Sequence, residues 1–438
     1  MSQSSSSAKP SLISKRDFWP FLLLTSLFAL WGVAHNMTDT LLAAFKRIMS
    51  MTDFQTSWIQ LAFYGSYFCL ALPAALFIRK YTYKSGILLG LGLFAAGSLL
   101  FYPAGVTMSY GFFLLALYVL AGGLSILETA ANPYILVIGP QETATQRLNL
   151  AQSFNPIGSV VGVYLSKVFI LSNLNTAEAT DRSSMSPEAL KAIQSEELTG
   201  VMGTYVGVAL FLVVVWFVIK AVRMPVASET VETDGVIAGF KRLLKNKNYK
   251  LGVMAQFFYV GAQIGVWSFT IRYVMVELNM NESEASDYYL LSLILFALSR
   301  FLFTGLMKFF KPSILLAISS FAALICCLLV IYSNGMVGVI ALVLVSVCMS
   351  LMFPTIYGLS AVGLGNDTKL GGSGLIMAIL GGAVITAAQG QVSDITGNIG
   401  LSYYVPVVCF AVVMYFGLNN YFSKNKPMAP PVQMVTPN

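Results

Sequence analysis

The chain has 438 residues, of which 57% are hydrophobic, 13% aromatic and only 10% charged, with a formal net charge of +7. That composition excludes an ordinary soluble domain and reads as a polytopic membrane protein. The apolar runs are longer than the roughly ten residues of a barrel strand and apolar on most faces, which leaves helices. The positive balance is read as topology and attraction to anionic lipid, not as nucleic-acid binding.

The first seventeen residues are polar and Ser-rich, without the basic region, apolar core and small-residue site of a cleavable signal. Apolar runs of about 20 residues then give twelve predicted spans. In chain order they cover 18–44, 55–78, 86–103, 110–138, 148–171, 201–222, 251–276, 287–307, 313–333, 336–360, 371–393 and 402–422. An even number of spans puts both termini on one side, and most of the 26 Lys and Arg fall there, including Lys15, Arg16, Arg79, Lys80, Lys84 and the stretch from Lys241 to Lys250. Both ends are therefore predicted to be cytoplasmic, with Lys46 and Arg47 as exceptions on the outer side. The expected organisation is an N-terminal tail over 1–17, a six-helix bundle over 18–222, a basic linker over 223–250, a second six-helix bundle over 251–422 and a tail over 423–438. In the outer loop over 172–200, SSMSPEALKAIQSEE reads as a short surface helix begun at Ser186, with Pro187 in its first turn. The five cysteines, Cys69, Cys326, Cys327, Cys348 and Cys409, fall within spans and read as packing residues.

Polar residues inside the spans fall into stripes. In the first span Trp31, His35, Thr38 and Asp39 recur at steps of three and four on one helical face, flanked by Asn36. Span four places Ser125, Glu128 and Asn132 on one face ahead of Pro133, and span five places Asn149, Gln152, Asn155 and Ser159 beside Pro156. Amides in such stripes can simply join helices. Carboxylates are a different matter, because an ionisable group at membrane depth is costly and marks a solute or proton path, which makes Asp39 and Glu128 the candidate proton carriers. In span seven Gln256, Tyr259, Gln263 and Trp267 share a face, and amides mixed with aromatics suit a sugar: amides bond vicinal hydroxyls while an indole covers the C–H face of the ring. Arg300 in span eight is expected to need an anionic partner, either Glu128 or Asp39.

Five motifs, LETAANPY at 127–134, RLNLAQSFNPIG at 147–158, QFFYVGAQIGVWSFTIRY at 256–273, FPTIYGL at 353–359 and LGNDTKLGGSG at 364–374, occur in one order along the chain. In this the chain resembles the bacterial L-fucose:proton symporters of the major facilitator superfamily. The resemblance implies an all-α membrane fold of twelve transmembrane helices in two six-helix bundles, an inner-membrane location and alternating access between the bundles. It implies proton coupling and sugar transport at Asp39 and Glu128, and cavity positions at Trp31, Gln152, Asn155, Trp267, Phe296 and Arg300. Two departures stand out: His35 replaces an asparagine of the family pattern, and the RKYTYKSG loop lacks the acidic residue of the superfamily's loop motif.

The expected activity is proton-coupled uptake of L-fucose or a closely related sugar. Another neutral hexose, galactose or glucose, is the alternative cargo, and a non-transporting sugar sensor is a more distant reading. An enzyme is not expected, since the single histidine supports no metal cluster and no nucleophile sits beside a base. The partners expected are a small sugar, protons and the lipid bilayer, with no cofactor, metal or nucleic acid, and one copy of the chain is expected to suffice.

Overall fold

A computed structural model of the chain describes residues 11–49, 53–170, 185–228, 235–423 and 433–435. The first four predicted spans become α1 (Phe18–Ile48), α2 (Asp53–Lys80), α3 (Tyr83–Thr107) and α4 (Tyr110–Val137). Local chemistry sets their ends. The Thr82 hydroxyl accepts from the Ser85 N–H at 3.1 Å to start α3, and Met108 closes that helix in the left-handed region at φ 49°.

Span five is broken into α5 (Ala144–Gln152) and α6 (Asn155–Phe169). The break follows from Pro156, which has no N–H to give the Gln152 carbonyl four residues earlier. The predicted surface helix begins where expected, with the Ser186 hydroxyl accepting from the Ala189 N–H at 3.3 Å. It is not a separate element, however. It continues without interruption as α7 (Pro187–Ala221), because nothing between Glu188 and Val201 breaks a helix and the chain runs straight into the apolar span. The rest of the predicted outer loop, over 172–184, lies outside the described residues, as do 229–234 of the linker and most of both tails.

The linker carries structure of its own, with strand β1 (Val226–Ser228) and the basic amphipathic helix α8 (Val236–Lys245). The later spans are α9 (Lys247–Leu278), α10 (Glu282–Leu306), α11 (Pro312–Tyr332), α12 (Met336–Met349) with α13 (Met352–Ala361), α14 (Thr368–Met377) with α15 (Gly381–Thr396), and α16 (Tyr404–Phe422). Among the described residues ten helical stretches are long and apolar enough to cross a membrane. The predicted spans five and seven are not among the ten. Both carry dense polar stripes; α6 packs one face along α1 and leaves the other exposed, and α9 packs along α15 and α16.

The chain's ends meet on one face. Strand β2 (Gln433–Val435) from the C-terminal tail pairs antiparallel with β1 of the linker. The Tyr134 hydroxyl donates to the Pro225 carbonyl at 2.6 Å, and Arg147 reaches the Leu12 carbonyl of the N-terminal segment at 3.2 Å. This terminal face is also where the two bundles touch: α2 and α4 pack on α14, and α5 packs on α13. Thr145 sits against Gly358, the Asn149 amide donates to the Thr355 hydroxyl at 3.1 Å, and the Lys369 ammonium lies 5.1 Å from the Tyr83 ring centre. On the outside of the same face Arg242 of α8 clasps Asp367 with two hydrogen bonds of 2.8 Å.

Candidate sugar and proton site

Glu128 is buried on α4, and neither carboxylate oxygen has a hydrogen-bond partner. Its surroundings come from packing that the sequence dictates. Gly90, Gly97 and Gly123 let α3 and α4 approach backbone to backbone, while the Ser125 hydroxyl donates to the Tyr67 carbonyl at 3.1 Å and ties α4 to α2. The same contact brings the Tyr67 hydroxyl near Glu128 and Trp31, close enough to interact electrostatically but outside hydrogen-bond geometry with the carboxylate. One turn along α4, the Asn132 side-chain oxygen accepts from the Gln152 amide at 2.8 Å, leaving the Asn132 amide nitrogen without a partner.

The first span is held against the fifth by glycines. A Cβ at Gly32 would come within 2.0 Å of the Asn155 carbonyl oxygen, and one at Gly158 within 1.8 Å of the Ala29 carbonyl oxygen. In that seam the Asn155 amide donates to the Phe28 carbonyl at 3.2 Å, and the Asn36 amide donates to the Gly32 carbonyl at 3.2 Å. Trp31 is half-buried with its ring centre 6.1 Å from that of Phe28, and His35 meets Phe63 edge-on at 5.3 Å. Asp39 and Thr38 fall on α1, but their side chains lie outside the described residues.

The second bundle supplies a rigid aromatic and cationic wall. The half-buried Trp267 donates its indole N–H to the Ser346 hydroxyl at 3.1 Å and meets Phe296 edge-on at 5.0 Å. Phe296 in turn lies under the Arg300 guanidinium, 4.6 Å from ring centre to the charge. Span seven does not present its stripe uniformly. Gln263 is half-buried and Gln256 is fully buried with both amide atoms unpartnered, whereas the buried Tyr259 hydroxyl is already engaged, donating to the Met349 carbonyl at 3.0 Å.

Arg300 corrects the expectation of a carboxylate partner. Its Nε donates to the Ser350 carbonyl at 2.5 Å and one terminal nitrogen donates to the Gln152 carbonyl at 3.0 Å. An ion pair is found instead at the surface, between Arg242 and Asp367. Two backbone carbonyls and an aromatic face engage the guanidinium without a second buried charge. A second arginine, Arg147, is also buried. It donates to the carbonyls of Ile135 at 2.8 Å and Leu136 at 2.7 Å, sealing the last turn of α4, and to Pro140 and Thr143 in the following loop. Its only signal was a lone cation between two apolar stretches. Among the described residues no cluster of His, Cys, Asp and Glu is large enough to hold a metal ion.

Two packed six-helix bundles with a buried unpaired carboxylate, idle amides and an aromatic wall among their helices are the form of a secondary transporter. The chain belongs to the Major Facilitator Superfamily, whose profile matches residues 21–388. It is 39% identical over 419 residues to the L-fucose-proton symporter of Haemophilus influenzae, covering 93% of this chain and 97% of that protein. It is 32% identical over 399 residues to a glucose/galactose transporter of Brucella abortus, covering 90% of this chain and 92% of that one. Among solved structures it superposes with a TM-score of 0.87 on the transporter FucP in the outward conformation, at 39% identity, covering 92% of this chain and 98% of that one.

Proposed function

We propose that the chain is a secondary active transporter that couples uptake of L-fucose, or a closely related sugar, to protons by alternating access. The observation that carries the reading is Glu128, a buried carboxylate with no partner for either oxygen, in a chain similar along nearly its whole length to an L-fucose-proton symporter. Burial disfavours the charged form of a carboxylate, so a proton is held until the surroundings change. A sugar that binds the protonated form better then travels with the proton, and the gradient drives accumulation.

Glu128 and Asp39 are the proposed proton carriers. Trp267 and Phe296 form the surface for the sugar's C–H face, and Trp31, Gln152 and Asn155, with Gln256 and Gln263, are proposed to meet the hydroxyls. Asn36 lies beside them, Arg300 sets the wall behind them, and Tyr259 acts through packing, since its hydroxyl is spent on the backbone. The basic terminal face is proposed to be cytoplasmic in a bacterial inner membrane, both termini included. Closure of the bundles there corresponds to an outward-facing state. One chain is taken as the transporting unit.

The test is uptake of a panel of labelled sugars into proteoliposomes, with and without an imposed pH gradient. L-fucose should accumulate only with the gradient. The relatedness to a glucose/galactose transporter favours a second cargo reading. Accumulation of galactose or glucose in preference to L-fucose would establish it, and gradient-independent uptake of every sugar would overturn proton coupling.

A further inference from the structure

Arg300 is held by two carbonyls that an ordinary helix would not offer. In an α-helix each carbonyl is taken by the N–H four residues later. Four residues after Gln152 stands Pro156, and four residues after Ser350 stands Pro354; neither has an N–H. Both helices break there, α5 giving way to α6 and α12 to α13, and the two released carbonyls converge on one guanidinium. Ser350 belongs to the same bundle as Arg300 and anchors it. Gln152 belongs to the other bundle, so the Arg300–Gln152 bond crosses the interface.

The neighbourhood supports a crossing of this kind. The Gln146 amide donates to the Thr304 carbonyl at 3.0 Å and the Asn149 amide to the Thr355 hydroxyl at 3.1 Å, so α5 engages the second bundle at three successive turns. The Arg300 contact is the one with a charged donor, worth more than its neutral companions. It is also the deepest of the three from the terminal face.

We propose that Pro156 and Pro354 are positioning residues that reserve the Gln152 and Ser350 carbonyls for Arg300, making the guanidinium a bolt across the two bundles that must leave Gln152 whenever they part at the terminal face. The bolt rests on the alternating-access reading above, but its test needs neither sugar nor gradient.

The reporter is Thr145→Cys, at a buried position against Gly358 of the other bundle, in a chain whose five native cysteines are replaced by alanine. A membrane-impermeant maleimide is applied from the terminal face of oriented vesicles, and the labelling rate reports separation of the bundles. Pro156→Ala restores an N–H that competes for the Gln152 carbonyl and should raise that rate about tenfold, the change expected from losing one hydrogen bond to a charged donor. A backbone ester at 156, made with the α-hydroxy acid counterpart of alanine, again lacks the N–H and should label like the parent. In an Arg300→Gln background the parent rate should already be high and Pro156→Ala should add nothing. An unchanged rate in Pro156→Ala, an ester that labels as fast as the alanine variant, or a Pro156→Ala effect that persists without Arg300 would each overturn the proposal. Should Pro156→Ala fail to fold, Pro354→Ala and its ester put the same three questions to the Ser350 carbonyl.

Discussion

Glu128 and Arg300 are both buried among the helices, yet the protein treats them in opposite ways. The guanidinium is engaged by the carbonyls of Gln152 and Ser350 and by the face of Phe296, whereas the carboxylate has two oxygens without a partner. A carboxylate without hydrogen-bond partners has no such contacts to break when it changes state. The proposed proton carrier is the residue the fold leaves unfinished, and the proposed bolt is the one it engages.

The strongest way to break that contrast is to neutralise each charge in turn. Glu128→Gln should abolish gradient-driven sugar accumulation in proteoliposomes while leaving the thermal unfolding temperature in detergent unchanged or higher, because it removes a buried ionisable group and keeps the volume. Arg300→Gln should do the reverse to stability, lowering it by about 2 to 5 kcal/mol in a denaturant titration, since two buried carbonyls lose their donor. If the glutamate variant is the less stable of the two, the assignment of roles is wrong.

Smaller changes sharpen the picture around the two charges. Gln152→Ala removes the donor to Asn132 one turn from Glu128, and should weaken sugar binding by about 1 to 3 kcal/mol in equilibrium titration. Trp267→Phe keeps the aromatic surface against Phe296 but loses the bond to Ser346, and should cost about 1 kcal/mol of sugar affinity, well short of the loss in Trp267→Ala. Least of all, Arg242→Ala removes an ion pair in which the arginine is 44% exposed. The expected change in stability is at most about 1 kcal/mol, and it should vanish in high salt.

The spans, their order and the carboxylate at Glu128 were legible because apolar length and a charge inside it are one-dimensional signals. Two features were not. A surface helix at Ser186 was readable from its cap, but its continuation into span six depends on the absence of any stop, which a boundary drawn at the polar-to-apolar change conceals. The partner of Arg300 was sought among carboxylates because side chains have letters and carbonyls do not. The clue was present all the same, in two prolines each four residues beyond the carbonyl they set free. Tyr259 illustrates the converse, as its place on a polar stripe matched a sugar contact, while its hydroxyl had a backbone acceptor within reach that only the fold reveals.

The seam between α1 and α6 has a consequence for anyone building hybrid transporters. Gly32 faces the Asn155 carbonyl and Gly158 the Ala29 carbonyl, with no room for a single added carbon at either place. Neither helix can be exchanged for a foreign one that carries alanine there without prising the pair apart. Spans one and five therefore form one heritable cassette despite the three helices that separate them in the chain, and a productive crossover must transplant both together or neither.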